Sequence, residues 1–276
     1  MALPPIAALE IGTTQTVALV GEIDDMRRVT ITGRGVYKTS GVRKGQVFDV
    51  DLAKAGVAKA VQQASEESNV DVGSLLLAVS GGHIEAKVNR GSVPVRGRDR
   101  IVSREDVEEV TELAQSLVLP SDRDIMHTVN QSFTLDDQTG ILKPEGLSGA
   151  QLSLDMLVIH TQRNRIDNLR KVVQSVELNV DDVVFSGLCA ALATLTTEQK
   201  RAGVVVIDLG GGTTSYLAYA DNVIACAGSF GVGGDHVTND LTQAFNLPTA
   251  RAEELKRSDG HALVGAATGL KRLAIP

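Results

Sequence analysis

The sequence predicts an α/β protein of two related halves, with a small α+β unit inserted into the first. Three observations carry that prediction. Glu10-Ile11-Gly12-Thr13-Thr14 and Asp208-Leu209-Gly210-Gly211-Gly212-Thr213-Thr214 are alike in kind: strand, carboxylate, apolar residue, glycine turn, threonine pair, strand. Strand-length apolar runs and helical stretches fill residues 1–82 and resume from 161 onward. From His83 to His160 the pattern changes to short strands around one strong helix.

Ile6–Ile11 reads as a strand, broken by Gly12-Thr13-Thr14, with strands again at Thr16–Val20 and Val29–Tyr37. Thr39–Gly45 has loop chemistry, Asp51–Glu67 is helical, and Ser74–Ser80 is a buried strand ended by Gly81-Gly82. In the inserted stretch, strands are expected at His83–Val88, Ser92–Val95, Thr128–Leu135 and Gln151–His160. Its helix starts at Ser103, with Asp106 three residues later as a capping box and Val107, Val110, Leu113, Ala114 and Leu117 as its apolar stripe. Helices follow at Asn164–Glu177 and Gly187–Leu195, then a fully apolar strand at Gly203–Leu209 and strands at Thr214–Ala220 and Val223–Ala227. Helices at Asp235–Phe245 and Thr249–Lys256 complete the pattern.

Composition narrows the function. The net charge is −7 with no basic cluster, and aromatics are 3% without any Trp. A nucleic-acid partner needs a basic face and stacking platforms, so that class is excluded. Cys189 and Cys226 have neither CxxC spacing nor a histidine pair, and read as small buried hydrophobes rather than a zinc site. Met1–Ile11 has no positive charge before its apolar stretch, and Glu10 interrupts it, so neither a signal peptide nor a membrane span is expected. A cytoplasmic location follows.

The two turns carry the chemistry. A phosphate site needs backbone N–H groups converging on an anion; glycine permits the close approach, and threonine hydroxyls add donors. Glu10 and Asp208, at the strand ends, are placed to hold Mg2+ directly or through water. There is no GxxxxGK[ST], which excludes a P-loop. A dinucleotide fold needs its glycine turn to open a helix. Here Thr16–Val20 and Thr214–Tyr219 read as strands, so both are hairpin turns. Ordinary glycine hairpins, common in any β-structure, are the competing explanation.

Val205–Thr214 resembles the second phosphate motif of the actin-like superfamily of actins, heat-shock chaperones and sugar kinases, and Ala8–Thr14 resembles the first. More narrowly the chain is similar to the FtsA family. The features are Leu9–Thr13, Ser40–Gly45, Ala78–Ile84, Gly146–Gly149, Phe185–Leu188, Gly233–Leu241 and Ala252–Lys256. The resemblance covers residues 6 to 264 and implies an actin-like (ribonuclease-H-like) ATPase fold. The first subdomain would be 1–82 with 161–202, the insertion 83–160, and an incomplete second half 203–276.

By this resemblance Gly12, Thr13 and Thr14 contact phosphates of ATP from one side, and Gly210, Gly211, Gly212, Thr213 and Thr214 from the other. Glu10 and Asp208 serve the Mg2+ shell, Gly233 and Gly234 border the nucleotide, and Glu253 and Lys256 approach the ribose and adenine. Glu253 and Lys256, at i and i+3, equally fit a solvated helical ion pair. Ser186 falls where strongly hydrolysing relatives place a Glu or Gln to orient water, so ATP turnover is expected to be slow or absent and no catalytic residue is assigned. The family's role implies FtsZ as a partner, self-association into filaments, other division proteins bound through 83–160, and a peripheral place on the inner membrane at the division site. The membrane contact is expected of a longer protein, because Gly269–Ile275 is too short for a confident amphipathic helix. Two other readings are a PilM-like pilus-assembly adaptor and a small-molecule kinase, whose substrate carboxylate would be Asp49 or Asp51 unless these simply start a helix.

Overall fold

The computed structural model describes residues 4–97 and 99–261. The chain divides at Gly233/Gly234 into two compact units.

The first unit opens with strands β1 (Ile6–Ile11), β2 (Gln15–Ile23) and β3 (Val29–Lys38), then a short hairpin of β4 (Val42–Arg43) and β5 (Gln46–Val47). Helix α1 (Val50–Ser68) and strand β6 (Ser74–Val79) follow. Asp49 caps α1 by accepting from Leu52 N–H, and Asn69 ends it in the left-handed region at φ 57°. The buried face of α1 is small: Ala53, Gly56, Val57, Ala60 and Ala64. That lets it lie directly on β3, where a Cβ at Gly35 would stand 1.7 Å from Ala60 O and one at Gly33 2.2 Å from Ala64 O. The same helix closes the sheet edge: Arg34 N–H donates to Glu67 Oε2 at 2.8 Å and Val36 N–H to Gln63 Oε1 at 3.0 Å.

The inserted stretch forms β7 (Glu85–Pro94), α2 (Arg104–Gln115), β8 (Arg123–Leu135), β9 (Gln138–Ile141) and β10 (Gln151–Gln162). It is a four-stranded antiparallel sheet in the order β7-β10-β8-β9. The Ser103/Asp106 capping box is present. The two short strands expected before α2 are one continuous strand, β7. Gly91 looks like a break in sequence, but its role is clearance: a Cβ there would lie 2.6 Å from Val110 O and Ala114 N of α2. Strand β10 is buried on both faces. Leu152, Leu154, Met156 and Val158 enter the insertion's own core, and Leu157 and Ile159 enter the main core.

The chain then returns through α3 (Arg163–Gln174), β11 (Asn179–Phe185), α4 (Ser186–Thr194) and α5 (Thr197–Ala202). Strand β11 escapes the sequence reading because Asp181 and Asp182 interrupt it; it is an edge strand with a bulge there. The main sheet order is β11-β6-β1-β2-β3, antiparallel across β1-β2-β3 and parallel across β1-β6-β11. Strands β12 (Val204–Leu209), β13 (Thr214–Ala220) and β14 (Val223–Phe230) form an antiparallel sheet in that order. The apolar β12 is covered on one face only, with Val205, Ile207 and Leu209 exposed.

The second unit holds α6 (Gly234–Phe245) and α7 (Thr249–Asp259). The Gly269–Ile275 segment lies outside the described residues. Among the described residues no helix is long and apolar enough to cross a membrane.

Candidate functional site

Strand pairing aligns the two glycine turns and revises the match made on sequence. Ile11 pairs with Thr16 across the first turn and Leu209 with Thr214 across the second. Each turn is closed by the same hydrogen bond, Gly12 N–H to Gln15 O at 3.1 Å and Gly210 N–H to Thr213 O at 2.9 Å. Thr13-Thr14 therefore takes the place of Gly211-Gly212, and the counterpart of Thr214 is Thr16. Both of these threonines are buried braces. Thr16 Oγ1 bonds Thr39 Oγ1 at 2.8 Å, and Thr214 donates its hydroxyl proton to Val232 O at 2.7 Å. Each brace fastens the loop that follows its hairpin.

The two tips touch. A Cβ at Gly212 would stand 2.7 Å from Thr13 Oγ1 and 2.9 Å from Lys44 N, so only glycine lets the hairpins meet. Gly45 N–H reaches Thr13 Oγ1 at 3.4 Å, which brings the β4–β5 hairpin to the same point. On the other side Ser80 Oγ and Thr213 Oγ1 are 3.4 Å apart, and Gly81 N–H donates to Ser229 Oγ at 3.3 Å. Gly233 is buried against the second turn, where a Cβ would lie 2.4 Å from Gly210 O and 2.5 Å from Gly211 O. Among the described residues the amides of Thr13, Thr14, Gly211 and Gly212 donate to no protein acceptor. Free amides in two touching hairpins make an anion-binding concavity. Ser80, Ser229 and Lys44 were not among the expected site residues. Ser80 and Lys44 lie in loops and Ser229 near the end of β14, and no spacing rule joins the three; the Ala78–Ile84 and Ser40–Gly45 motifs are the traces of Ser80 and Lys44 in sequence.

The carboxylates sit behind the tips. Burial, and then the negative charge of Asp208, push the Glu10 carboxyl up to about 7. A carboxyl whose ionised form is disfavoured by burial and by a neighbouring carboxylate is a site that gains from a cation. No group of three or more His, Cys, Asp or Glu is arranged for a metal ion among the described residues. The pair fits Mg2+ in the manner of sites that take one or two carboxylates and complete the shell with phosphate and water. Helix α4 starts beside them, since the Cys189 thiol is raised by burial and by Glu10. Ser186, the first residue of α4, is buried and its Oγ has no partner among the described residues.

The entry to the insertion abuts this site. The buried His83 ring packs on Gly81, where a Cβ would lie 2.4 Å from His83 Cε1. Burial, Arg165 and Arg123 hold its pKa down to about 4. Arg123 clamps entry to exit: it donates to His83 O at 2.9 Å and to His160 Nδ1 at 2.8 Å, and pairs with Glu85 at 3.0 Å.

In the second unit Gly234 opens α6, and Glu253 and Lys256 are found paired. Lys256 Nζ bonds Glu253 Oε2 at 2.5 Å, Thr238 Oγ1 at 2.9 Å and Gly234 O at 3.1 Å. Hydrogen bonds from Lys256, then Thr238, hold Glu253 down to about 2. The pair is half-buried and ties α7 to α6. Asp49, one of the two kinase candidates, is occupied as the α1 cap, and Asp51 lies exposed in the first turn.

A family described as "SHS2 domain inserted in FTSA" matches residues 81–160, and one described as "Cell division protein FtsA" matches residues 205–272. The chain is similar to the cell division protein FtsA of Pseudomonas aeruginosa, 32% identical over 98% of this chain and 64% of that protein. It is 33% identical to the Escherichia coli K12 FtsA over 94% of this chain and 61% of that protein. The chain therefore spans 61–64% of the length of these relatives. Among solved structures, a chain of the PilM-PilN type IV pilus biogenesis complex superposes with a TM-score of 0.61 at 17% identity, over 92% of this chain and 69% of that one. Ethanolamine utilization protein EutJ from Carboxydothermus hydrogenoformans gives 0.51 at 15%, over 94% and 63%. At these identities the likeness concerns the fold, which is that of the actin-like ATPases.

Proposed function

The chain belongs to the FtsA family of cell-division proteins, and we propose that it is an ATP-binding adaptor that holds nucleotide to support assembly rather than to turn it over rapidly. The observation that carries the reading is the meeting of two carboxylate-led hairpins, Gly12–Thr14 and Gly210–Thr213, with free amides at both tips. In this reading those amides hold phosphate oxygens, and Glu10 and Asp208 hold Mg2+, which when bound neutralises phosphate charge. Gly233 keeps the second tip tight, and Gly234, Glu253 and Lys256 belong to the nucleoside side. Ser186 carries no charge with which to orient an attacking water, which supports slow turnover.

The family membership supports the wider role. We propose tethering of FtsZ filaments at the cytoplasmic face of the inner membrane, self-association into filaments, and contacts to other division proteins through residues 83–160. We also propose that 1–82 with 161–202 forms one subdomain, with 203–276 beginning the second half. Two measurements test this. Calorimetric titration of the 276-residue chain with Mg-ATP should show saturable binding, with phosphate release no faster than a few turnovers per hour. Sedimentation of a full-length relative carrying this sequence with FtsZ, ATP and lipid vesicles should bring all components down together; FtsZ left in the supernatant would refute the tethering role.

A further inference from the structure

We infer that Lys44 is a third wall of the phosphate grip, a cation supplied by the β4–β5 hairpin between the two glycine turns; the inference rests on the nucleotide reading of this site. The hairpin has a two-residue turn, since Arg43 pairs with Gln46. Both turn residues have positive φ, Lys44 at 50° and Gly45 at 71°. That is the type I′ geometry, whose first position favours Asn, Asp or Gly and disfavours a long side chain. A lysine there costs local stability, so the turn itself does not explain it.

Its position does. The Lys44 amide lies against Gly212, where a Cβ would come within 2.9 Å, and the Lys44 stem runs along Gly231, where a Cβ would lie 3.5 Å from Lys44 Cδ and 3.8 Å from its Cβ. Gly45 is wedged on the far side, where a Cβ would stand 2.2 Å from Ser80 O. Its own N–H donates to Thr13 Oγ1 at 3.4 Å. The hairpin thus touches the first turn, the second turn and the loop at Ser80. Arg43, the neighbouring cation, is committed to the Phe48 ring at 4.7 Å. Lys44 is exposed and its ammonium has no partner among the described residues. A flexible, unpaired ammonium beside free amides suits a polyphosphate, whose charge Lys binds as a point charge.

The test uses Lys44→Asn in the 276-residue chain, because asparagine suits the left-handed position and removes the charge. Mg-ATP, Mg-ADP and adenosine are titrated calorimetrically against wild type, Lys44→Asn and Lys44→Arg. The expected result is a Lys44→Asn chain that melts at or above the wild-type temperature and binds Mg-ATP about 10- to 100-fold more weakly, with adenosine binding unchanged. Lys44→Arg should retain most of the affinity. Equal Mg-ATP affinity in wild type and Lys44→Asn would overturn the role of Lys44 and leave the nucleotide reading standing. A wild-type chain that binds neither Mg-ATP nor adenosine would overturn both.

Discussion

Strand β1, which leads into the first hairpin, lies between β2 and β6 in a five-stranded sheet, and its Leu9 and Ile11 are 1% and 5% exposed. Strand β12, which leads into the second, is the edge of a three-stranded sheet, and its Val205, Ile207 and Leu209 are 58%, 65% and 70% exposed. Yet the two turns share one closing hydrogen bond and one buried threonine at the same register position. Turn geometry is therefore set locally, by the glycine and the threonine brace. What the surroundings set is the electrostatics: Glu10 sits on the covered strand, and burial there, with the charge of Asp208, raises its pKa.

The sharpest way to break this comparison is to remove core beneath the first hairpin. Leu9→Ala deletes a fully buried side chain from the main core. It should cost about 2–5 kcal/mol in urea unfolding. A cost under about 1 kcal/mol would mean that the first hairpin rests on its sheet no more firmly than the second.

Charge comes next. Glu10 has a folded value near 7 against an ordinary 4.5. Below 4.5 it is protonated in both states and costs nothing. As pH rises through 7 the folded state gives up its proton unwillingly, so stability falls by at most about 3 kcal/mol and then levels off. His83 runs the other way, since its folded value near 4 lies below the ordinary 6.5. Its contribution is complete above 6.5 and is lost as pH falls toward 4, by about the same amount. The two slopes oppose each other, so the wild-type chain should be nearly flat from pH 4.5 to 6.5. Glu10→Gln removes one slope. Its denaturant midpoint should climb across that range, and at pH 8 it should exceed wild type in the absence of nucleotide. A flat profile in Glu10→Gln would count against the buried, unpaired His83.

Within the hairpins the comparison sharpens further. A Cβ at Gly212 meets Thr13 and the Lys44 backbone, whereas one at Gly210 comes no nearer than 3.1 Å, to Thr213 O in its own turn. Gly212→Ala should cost about 1–3 kcal/mol by forcing the tips apart. It should also abolish detectable Mg-ATP binding by calorimetry. Gly210→Ala should cost less than half as much and retain binding.

Much of this was legible in sequence, and the parts that were not share a cause. The hairpins, the α2 capping box and the change of character at residue 83 are local signals: a glycine after an apolar run, Ser103 with Asp106, a shift in period. Gly91 misleads because its reason lies on α2, distant in sequence. Gly33 and Gly35 lie inside the strand expected at Val29–Tyr37, and only the structure shows them admitting α1. Within the site, Glu10 and Asp208 were readable from the repeat. The alignment of Thr214 with Thr16 was not, because the unequal number of glycines hides the register until the strands are paired. Lys256 and Glu253 were readable as a pair, but their tie to Thr238 needed the packing of α7 on α6.

The smallest expected effect tests the weaker side of the comparison. Ile207 is on the outward face of β12, alternating with Val206 and Asp208, which face inward. Since Ile207 is 65% exposed, Ile207→Ser removes little buried area and should change stability by no more than about 0.5 kcal/mol. The same change at a covered position of β1 would be several times larger. Equilibrium unfolding at two protein concentrations separates the outcomes. A small, concentration-independent change confirms a bare face. A loss above about 1 kcal/mol, or one that grows with concentration, would show that another surface covers Val205, Ile207 and Leu209 in solution. The second hairpin would then rest on a sheet that becomes complete only when that surface is in place.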